Sequence, residues 1–194
     1  MKTHVLPRNP FATRHTQPGM LPPLHATGQP LDVRRLLAAI REHGAASIEG
    51  PHGTGKSTLL AALTRVARDE GTHVEAVRLR TGRDAFAGVR AILGAEPGGI
   101  VCLDGWEMLG VFTWVARQVA WWRRVGLVVT AHRSAGFRFV IRTSATLPLL
   151  AAIVDRLPDH GGLIVETDLK ESLARHPGNV REDLIDLYDR FEHR

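Results

Sequence analysis

The sequence predicts a three-layer α/β fold with a mainly parallel central sheet and a short C-terminal helical hairpin. Short apolar segments alternate with helix-like segments, and some of the short ones, such as IVCL at 100–103, are apolar throughout. Apolar strands that alternate with helices are typical of a parallel sheet covered on both faces. Near the C-terminus, two helical patterns flank a Pro-Gly-Asn break at 177–179. A length of 194 residues suits a single domain of this kind.

The elements can be placed in order along the chain. A first helix is predicted after Asp32, with Leu36, Leu37 and Ile40 on one face and Gly44 as its C-terminal cap. Strands are predicted at 45–50, 73–80, 99–105, 126–133 and 137–144. Helices are predicted at 56–70, 84–93, 107–125 and 147–157.

The connection to the fifth strand is unusually short. Five residues separate LVVTA, which ends at 131, from FRFVI, which begins at 137. A crossover between parallel strands needs roughly a dozen residues or more. We therefore expect the fifth segment either to run antiparallel or to be a loop with the sequence pattern of a strand.

Composition favours a cytoplasmic protein. Apolar residues make up 44% of the chain and charged residues 23%. The single cysteine, Cys102, excludes an internal disulfide and fits a reducing compartment. The N-terminus lacks the apolar segment of a secretion signal, and no run reaches the roughly 18 apolar residues of a membrane span. The prediction is a cytoplasmic location without a membrane partner.

Residues 1–30 are predicted to form an extended or disordered basic arm. They contain six prolines, three basic residues and no acid, and they show no sustained period. Apolar side chains within the arm make a protein partner, or self-association through the arm, a candidate interaction. These side chains are Phe11, Met20, Leu21 and Leu24.

The net charge of +5 gives weak support to a nucleic-acid partner. Outside the arm the chain has 22 basic and 20 acidic residues. A nucleic-acid-binding face needs clustered charge rather than a high overall pI. We interpret the pI of about 10.3 mainly as a consequence of arginine-rich composition.

The segment IEGPHGTGKSTLL predicts a phosphate-binding loop. Gly50, Gly55, Lys56 and Ser57 match the pattern G-x-x-x-x-G-K-[ST] between a strand and a helix. Backbone N–H groups of such a loop, with the positive end of the helix, bind the phosphates of a nucleotide. Lys56 would reach the β- and γ-phosphates of ATP, and Ser57 would bind Mg²⁺. The predicted cofactor-binding residues are Gly50, Pro51, His52, Gly53, Thr54, Gly55, Lys56, Ser57 and Thr58.

The segment GGIVCLDGWEML supplies a second metal ligand. Its apolar strand ends at Asp104, and this arrangement resembles the Walker B strand of P-loop NTPases, whose Asp supports Mg²⁺. The spelling LDGWE is similar to the corresponding motif of NACHT and related signalling ATPases. That resemblance implies Glu107 as the catalytic acid; the alternative for Glu107 is charge complementarity at a helix N-terminus.

The segment GLVVTAHR places polar groups at the end of another apolar strand. It resembles the sensor-1 strand of AAA+ ATPases and the switch-histidine strand of ABC ATPases. The resemblance implies that Thr130 or His132 contacts the γ-phosphate or the attacking water. The candidates for an arginine finger are Arg133, Arg138 and Arg142, and the sequence does not distinguish between them.

The segment PGNVRE near the C-terminus is close to the sensor-2 segment in the lid of many AAA+ ATPases. By this resemblance Arg181 would reach the γ-phosphate, while Asn179 is expected to cap the helix that follows. The alternative for Arg181 is a surface arginine in the first turn of a helix, a place that disfavours cations.

Together these motifs resemble the P-loop NTPases of the additional-strand group, the AAA+-like or ASCE ATPases, with an abbreviated lid. The helix that normally follows the sensor strand of AAA+ ATPases is expected to be missing. The resemblance implies three parts: the arm at 1–30, a P-loop nucleotide-binding core at 31–166 and a lid-like helical hairpin at 167–194.

The function expected from this resemblance is a Mg-dependent ATPase that couples nucleotide state to movement of the lid or to a partner. One alternative is a small-molecule kinase of the nucleoside or nucleotide type, because the loop is also similar to theirs. Another is a binding module that holds the nucleotide without hydrolysing it.

The segment predicted as a helix at 107–125 carries three tryptophans beside two arginines, Arg123 and Arg124. Trp114 and Trp121 are seven residues apart, and we expect them in the core. The alternative is an aromatic and basic surface for single-stranded nucleic acid, which would also include Trp122.

Overall fold

The computed structural model describes residues 9–17 and 19–194. In this part of the chain, five strands form one parallel sheet in the order β2-β3-β4-β1-β5. The strands are β1 Ala45–Glu49, β2 Val74–Arg78, β3 Ile100–Asp104, β4 Gly126–Ala131 and β5 Phe139–Arg142. The helices are α1 Thr13–Thr16, α2 Val33–His43, α3 Lys56–Asp69, α4 Ala85–Gly94, α5 Thr113–Arg123, α6 Leu147–Val154, α7 Glu166–Arg175 and α8 Val180–Glu192. The predicted three-layer α/β fold is confirmed.

Alternate residues of the buried strands face two separate cores, as the period of a strand requires. On one face Ile48, Cys102 and Val128 pack against α2 and α3. On the other face Leu103 and Val129 pack against α4 and α5. The sheet is therefore the middle layer, and its strands end together at one edge.

The fifth segment is neither an antiparallel strand nor a loop, so both alternatives predicted for it are wrong. β5 runs parallel to β1, with Ala46 opposite Phe139 and Glu49 opposite Arg142. Residues 132–138 connect β4 to β5 without a helix and pass over the sheet, where Ala135 and Phe137 are partly buried against the α4 and α5 core. Seven extended residues span up to roughly 23–25 Å, more than the roughly 17 Å of a five-residue strand. An extended crossover is thus long enough, and the requirement for a dozen residues applies to crossovers that contain a helix.

The prediction of one continuous helix at 107–125 is also wrong. A 3₁₀ segment, Trp106–Phe112, is broken at Gly110 by non-helical dihedral angles (φ 52°, ψ −121°), and α5 begins only at Thr113. The buried residues of α5 are Ala116 and Ala120. The tryptophans expected in the core are instead exposed.

A third apolar cluster lies in the C-terminal helices. It includes Leu150 of α6 and Leu187 and Phe191 of α8, and Phe11 of the N-terminal segment packs into it, with its ring centroid 6.3 Å from that of Phe191. Residues 1–8, which carry two of the three basic residues of the predicted arm, lie outside the described residues. Across 9–17 and 19–194, no helix combines the length and hydropathy needed to cross a membrane.

Candidate nucleotide-binding site

The predicted phosphate-binding loop connects the carboxyl end of β1 to the N-terminus of α3. Lys56 is the first residue of α3, and Ser57 and Thr58 lie half-buried in its first turn. The loop is anchored by Thr54, whose Oγ1 donates to the carbonyl of Pro51 at 2.9 Å and lies 2.7 Å from Oγ1 of Thr143. A short apolar strand followed by glycines and a helix therefore produces the local geometry that the motif predicts.

Lys56 is buried and turned back onto its own loop. Its Nζ donates to the carbonyls of Gly50 at 2.6 Å and Pro51 at 2.5 Å, and it lies 3.1 Å from Nδ1 of His132. The ammonium group is thus held where the loop closes around it.

Asp104 lies opposite the first turn of α3. Its carboxylate accepts from Ser57 Oγ at 3.1 Å, although 47 residues separate the two in the sequence. It also accepts from Thr130 Oγ1 at 2.6 Å. The backbone N–H of Gly105 donates to the same Thr130 oxygen at 2.9 Å, which fixes the rotamer of the buried hydroxyl.

These residues fit a magnesium ion by their chemistry. The Ser57 hydroxyl and the Asp104 carboxylate are the hard oxygen ligands that Mg²⁺ prefers, and Mg²⁺ usually keeps the rest of its shell for water and phosphate. Within the described part of the chain, no three His, Cys, Asp or Glu side chains are clustered as a metal centre. A Mg²⁺ ion here would therefore depend on Ser57, Asp104 and the nucleotide together.

Glu107 and His132 meet at the same edge of the sheet. Glu107 Oε1 accepts from the backbone N–H of His132. Its Oε2 is buried and has no hydrogen-bond partner among the described residues. The ring of His132 stacks on that of the exposed His52, with centroids 3.6 Å apart. Glu107 is therefore held by one oxygen, while the other is buried without a hydrogen-bond partner among the described residues.

Two groups of the site have lowered pKa values, and burial is the main cause in both. Burial lowers the pKa of Lys56 from its ordinary value, and the carboxylates of Glu107 and Asp104 oppose that shift. Burial also lowers the pKa of His132, and the positive charges of Lys56 and His52 lower it further. A neutral His132 can accept a hydrogen bond from Lys56, which agrees with their 3.1 Å separation.

The C-terminal hairpin touches the phosphate-binding loop. A methyl group placed at Gly53 would lie 1.7 Å from Oδ1 of Asn179 and 3.3 Å from Cβ of Arg181. The predicted cap is confirmed, because the Asn179 side chain accepts from the N–H of Glu182 at 3.4 Å at the start of α8. Arg181 is thus near the loop. The three candidate arginine-finger residues are exposed and make none of the contacts described for this site. They are Arg133, Arg138 and Arg142.

Sequence reasoning missed three residues near the site. Arg78, the last residue of β2, donates from Nε to Asp104 at 3.1 Å. Glu49, the last residue of β1, is buried and accepts from Ala135 N at 2.8 Å, and Thr143 contacts the loop from beyond β5. Arg78 was detectable, because β2 ends at the same edge as the other parallel strands. Thr143 was not, since its position depends on a parallel β5.

Comparison with known proteins gives a structural likeness without a sequence relative. No protein-family model and no curated protein sequence matches the chain. The structure of a replication initiator DnaA bound to AMPPCP and single-stranded DNA is similar with a TM-score of 0.56 and 14% identity, over 80% of this chain and 57% of that one. A DNA replication initiation factor is similar with a TM-score of 0.55 and 18% identity, over 83% of this chain and 61% of that one.

The chain thus spans about three fifths of the length of these structures. At such low identity the likeness concerns the fold. The chain has the P-loop NTPase fold of the AAA+ and related ASCE ATPases, as the sequence motifs predicted.

Proposed function

We propose that the chain binds ATP together with Mg²⁺ and hydrolyses it. The observation that carries this proposal is the 3.1 Å contact between Ser57 at the start of α3 and Asp104 at the end of β3. Two hard ligands from separate elements meet beside a loop of the phosphate-binding pattern. The fold shared with a structure that holds AMPPCP, an analogue of ATP, supports an adenine nucleotide as the ligand.

In this proposal each residue of the site has a defined part. The Lys56 ammonium exchanges its two carbonyl acceptors, those of Gly50 and Pro51, for phosphate oxygens when ATP enters the loop. Ser57 and Asp104 would hold Mg²⁺, which would supply positive charge to the phosphates. Thr130 holds the Asp104 carboxylate in place through its hydrogen bond, so that the carboxylate would be positioned for the ion.

Glu107 is the candidate base for hydrolysis. Its Oε1 is held by the N–H of His132, and its Oε2 is the group free to accept a proton from water. The water oxygen forms a bond to the γ-phosphorus while the bond from that phosphorus to the bridging oxygen breaks, giving ADP and phosphate. The neutral ring of His132 contacts Lys56 and would position rather than protonate.

The hairpin at 166–192 is proposed to respond to the nucleotide. Asn179 and Arg181 lie against Gly53, so a change in the loop on ATP binding has to be accommodated by the N-terminus of α8. Arg181 would then add its charge to the phosphates. The arm and the hairpin would remain one unit, because Phe11 packs against Phe191.

A kinase is the second candidate, and one feature favours it. A groove of about 420 Å³ lies beside Ser57 and Asp104, lined in part by the arginines Arg65, Arg68 and Arg78. Guanidinium groups are suited to an anionic second substrate such as a nucleoside monophosphate.

The test compares nucleotide binding and phosphate release in native protein and single variants. We expect ATP to bind the native protein by calorimetry and Lys56→Ala to abolish binding. Lys170→Ala, an exposed residue paired with Glu166, is the matched control and should leave binding intact. Glu107→Gln should retain binding and lose phosphate release.

Each other outcome rejects a stated part of the proposal. No heat of binding for the native protein rejects the nucleotide site itself. Binding with no phosphate release, unchanged by Glu107→Gln, favours a non-hydrolysing module. Transfer of phosphate to a nucleoside or nucleoside monophosphate, with little free phosphate, favours the kinase.

A further inference from the structure

The side of the molecule formed by α4, α5 and the 3₁₀ segment between β3 and α5 exposes an unusual set of apolar side chains. We call it the aromatic face. Its members are Phe86, Leu93, Met108, Val111, Phe112, Trp114, Trp121 and Trp122. The three tryptophans are 67%, 80% and 70% exposed. The remaining tryptophan of the chain, Trp106, is buried.

The exposure follows from how α5 packs. Its buried positions are two alanines, Ala116 and Ala120, which let the helix lie close to the sheet. Trp114 and Trp121 lie on the opposite side of the helix, seven residues and thus roughly 10 Å apart along its axis. Each indole carries roughly 150–250 Å² of surface, so the face is as large as the patches that mark binding sites on soluble proteins.

Contacts at both ends show that α4 and α5 lie side by side. At one end the rings of Phe86 and Phe112 lie 5.5 Å apart. At the other end the Arg123 guanidinium donates to the carbonyl of Ala95, just beyond α4, at 3.0 Å. The exposed residues of the two helices therefore form one continuous surface rather than scattered side chains.

In this part of the chain basic residues outnumber acidic ones, and every basic residue is an arginine. Residues 80–98 and 106–124 contain six arginines, three acids and no lysine. The arginines are Arg80, Arg83, Arg90, Arg117, Arg123 and Arg124. Two of the acids are engaged elsewhere: Asp84 accepts from the N–H groups of Arg80 and Thr81, and Glu107 accepts from that of His132. Two of the arginines are engaged as well: Arg117 packs over the rings of Trp106 and Phe137, and Arg123 donates to the carbonyl of Ala95. The other four are exposed, and with Glu96 as the remaining acid they leave a net positive surface that complements a polyanion.

On α4 an exposed arginine lies among the apolar side chains of the aromatic face instead of on a separate charged side. Arg90 follows Phe86 by four residues and precedes Leu93 by three, so the three share one face of α4. A helix that lies on a lipid surface separates its charged side from its apolar side. Guanidinium groups among flat rings fit phosphates and unpaired bases, because both rings and guanidinium planes stack on bases.

We propose that the aromatic face binds single-stranded nucleic acid through stacking on Trp114 and Trp121 and phosphate contacts from arginines such as Arg90. The proposal is separate from nucleotide hydrolysis, since it concerns binding that can be measured without ATP. Single strands are favoured over duplex because only unpaired bases offer their planes to the indoles.

The test uses the full chain and a fluorescein-labelled oligothymidylate, with anisotropy and intrinsic tryptophan fluorescence as two readouts. Three of the four tryptophans lie on the face, so we expect strong quenching on binding. The double variant W114A/W121A should weaken binding by about tenfold or more. The variant W114F/W121F keeps aromatic planes and should bind with intermediate affinity. Arg90→Ala should reduce the slope of log affinity against log salt by about 0.7.

Ile185→Ala changes an exposed apolar residue on α8, away from the face, and is the matched control that should bind like native protein. Thermal melts of all variants test that they are folded. Anisotropy without quenching, or equal affinity of native protein and a folded W114A/W121A, would overturn the proposal. So would binding to phosphatidylserine vesicles in place of the oligonucleotide, or a dimer that the Trp variants dissociate and that does not bind the oligonucleotide.

Discussion

Replacement of Asp183 by asparagine should stabilise the protein above neutral pH. The Asp183 side chain is buried in the hairpin, where Oδ1 lies 3.4 Å from Ser172 Oγ and Oδ2 has no partner among the described residues. Burial raises the pKa of Asp183 from 3.8 to about 6; His176 and Ser172 oppose the rise, and the charges of Asp186 and Glu182 add to it. The rise corresponds to about 3 kcal/mol of the free energy of unfolding.

The sign follows from proton binding. Because the folded-state pKa is raised, the folded state binds the proton more tightly than the unfolded chain does. The stabilisation is complete below about pH 4 and is lost as the pH rises to about 6 and beyond. Asparagine keeps the shape and an oxygen acceptor for Ser172 but does not ionise. The difference in stability between Asp183→Asn and native protein should therefore grow from near zero at pH 4 to about 3 kcal/mol at pH 8.

Thermal and denaturant unfolding at several pH values measure this difference, and comparison of two proteins at each pH cancels the titration of all other groups. A gain of about 3 kcal/mol corresponds to a rise in Tm of roughly 6–12 °C for a chain of this size. Asp189→Asn, at an exposed position of the same helix, is the control and should give no such trend. A stability difference that is constant between pH 4 and pH 8, or that decreases with pH, would refute the reasoning.

Two further predictions concern the contacts of the site. Gly53→Ala places a methyl group 1.7 Å from Asn179 Oδ1 at a φ of +72°. Gly71→Ala, at a φ of +78° with nothing within 4 Å, should lose only the about 1–2 kcal/mol of left-handed strain. Gly53→Ala should therefore cost more stability than Gly71→Ala. Chemical unfolding of Gly53→Ala with and without Asn179→Gly should reveal a favourable coupling, and additive effects would show that loop and hairpin are not in contact. Thr130→Val removes the hydroxyl between Gly105 and Asp104, and should lower ATP turnover and destabilise the fold by about 1–3 kcal/mol. Thr130→Ser should restore both, and a Val variant with native turnover would contradict the role assigned to this residue.

The parts of the site that lie at the ends of parallel strands were predictable. The loop motif placed Lys56 and Ser57, and the apolar runs that end at Asp104 and Thr130 placed those residues at the same edge. In the structure the Asp104 carboxylate accepts hydrogen bonds from both Ser57 and Thr130. One rule was sufficient for this, namely that parallel strands deliver their carboxyl ends to one side of the sheet.

What the sequence did not reveal depends on packing between distant segments. The apolar residues around Gly110 suited one long helix, but the non-helical dihedral angles of Gly110 break the chain path inside the 3₁₀ segment, before α5 begins. The seven-residue spacing of Trp114 and Trp121 correctly placed them on one side of a helix. The spacing does not determine which side of the helix faces the sheet. In the structure the buried side is formed by the small residues Ala116 and Ala120.

The short crossover after β4 has the widest consequence for the site. Its first residue is His132, and its Ala135 N–H is bound to Glu49 Oε1 at 2.8 Å. At the far end of β5, the N–H of Thr143 donates to the carbonyl of Glu49 at 2.8 Å, and its hydroxyl reaches Thr54. Glu49, which directly precedes the phosphate-binding loop, is thus hydrogen-bonded both to the middle of the crossover and to the residue that follows β5. Because these hydrogen bonds and the Lys56 contact with His132 join the loop to the crossover and to β5, we expect a movement of the loop to shift His132 and the end of β5 with it.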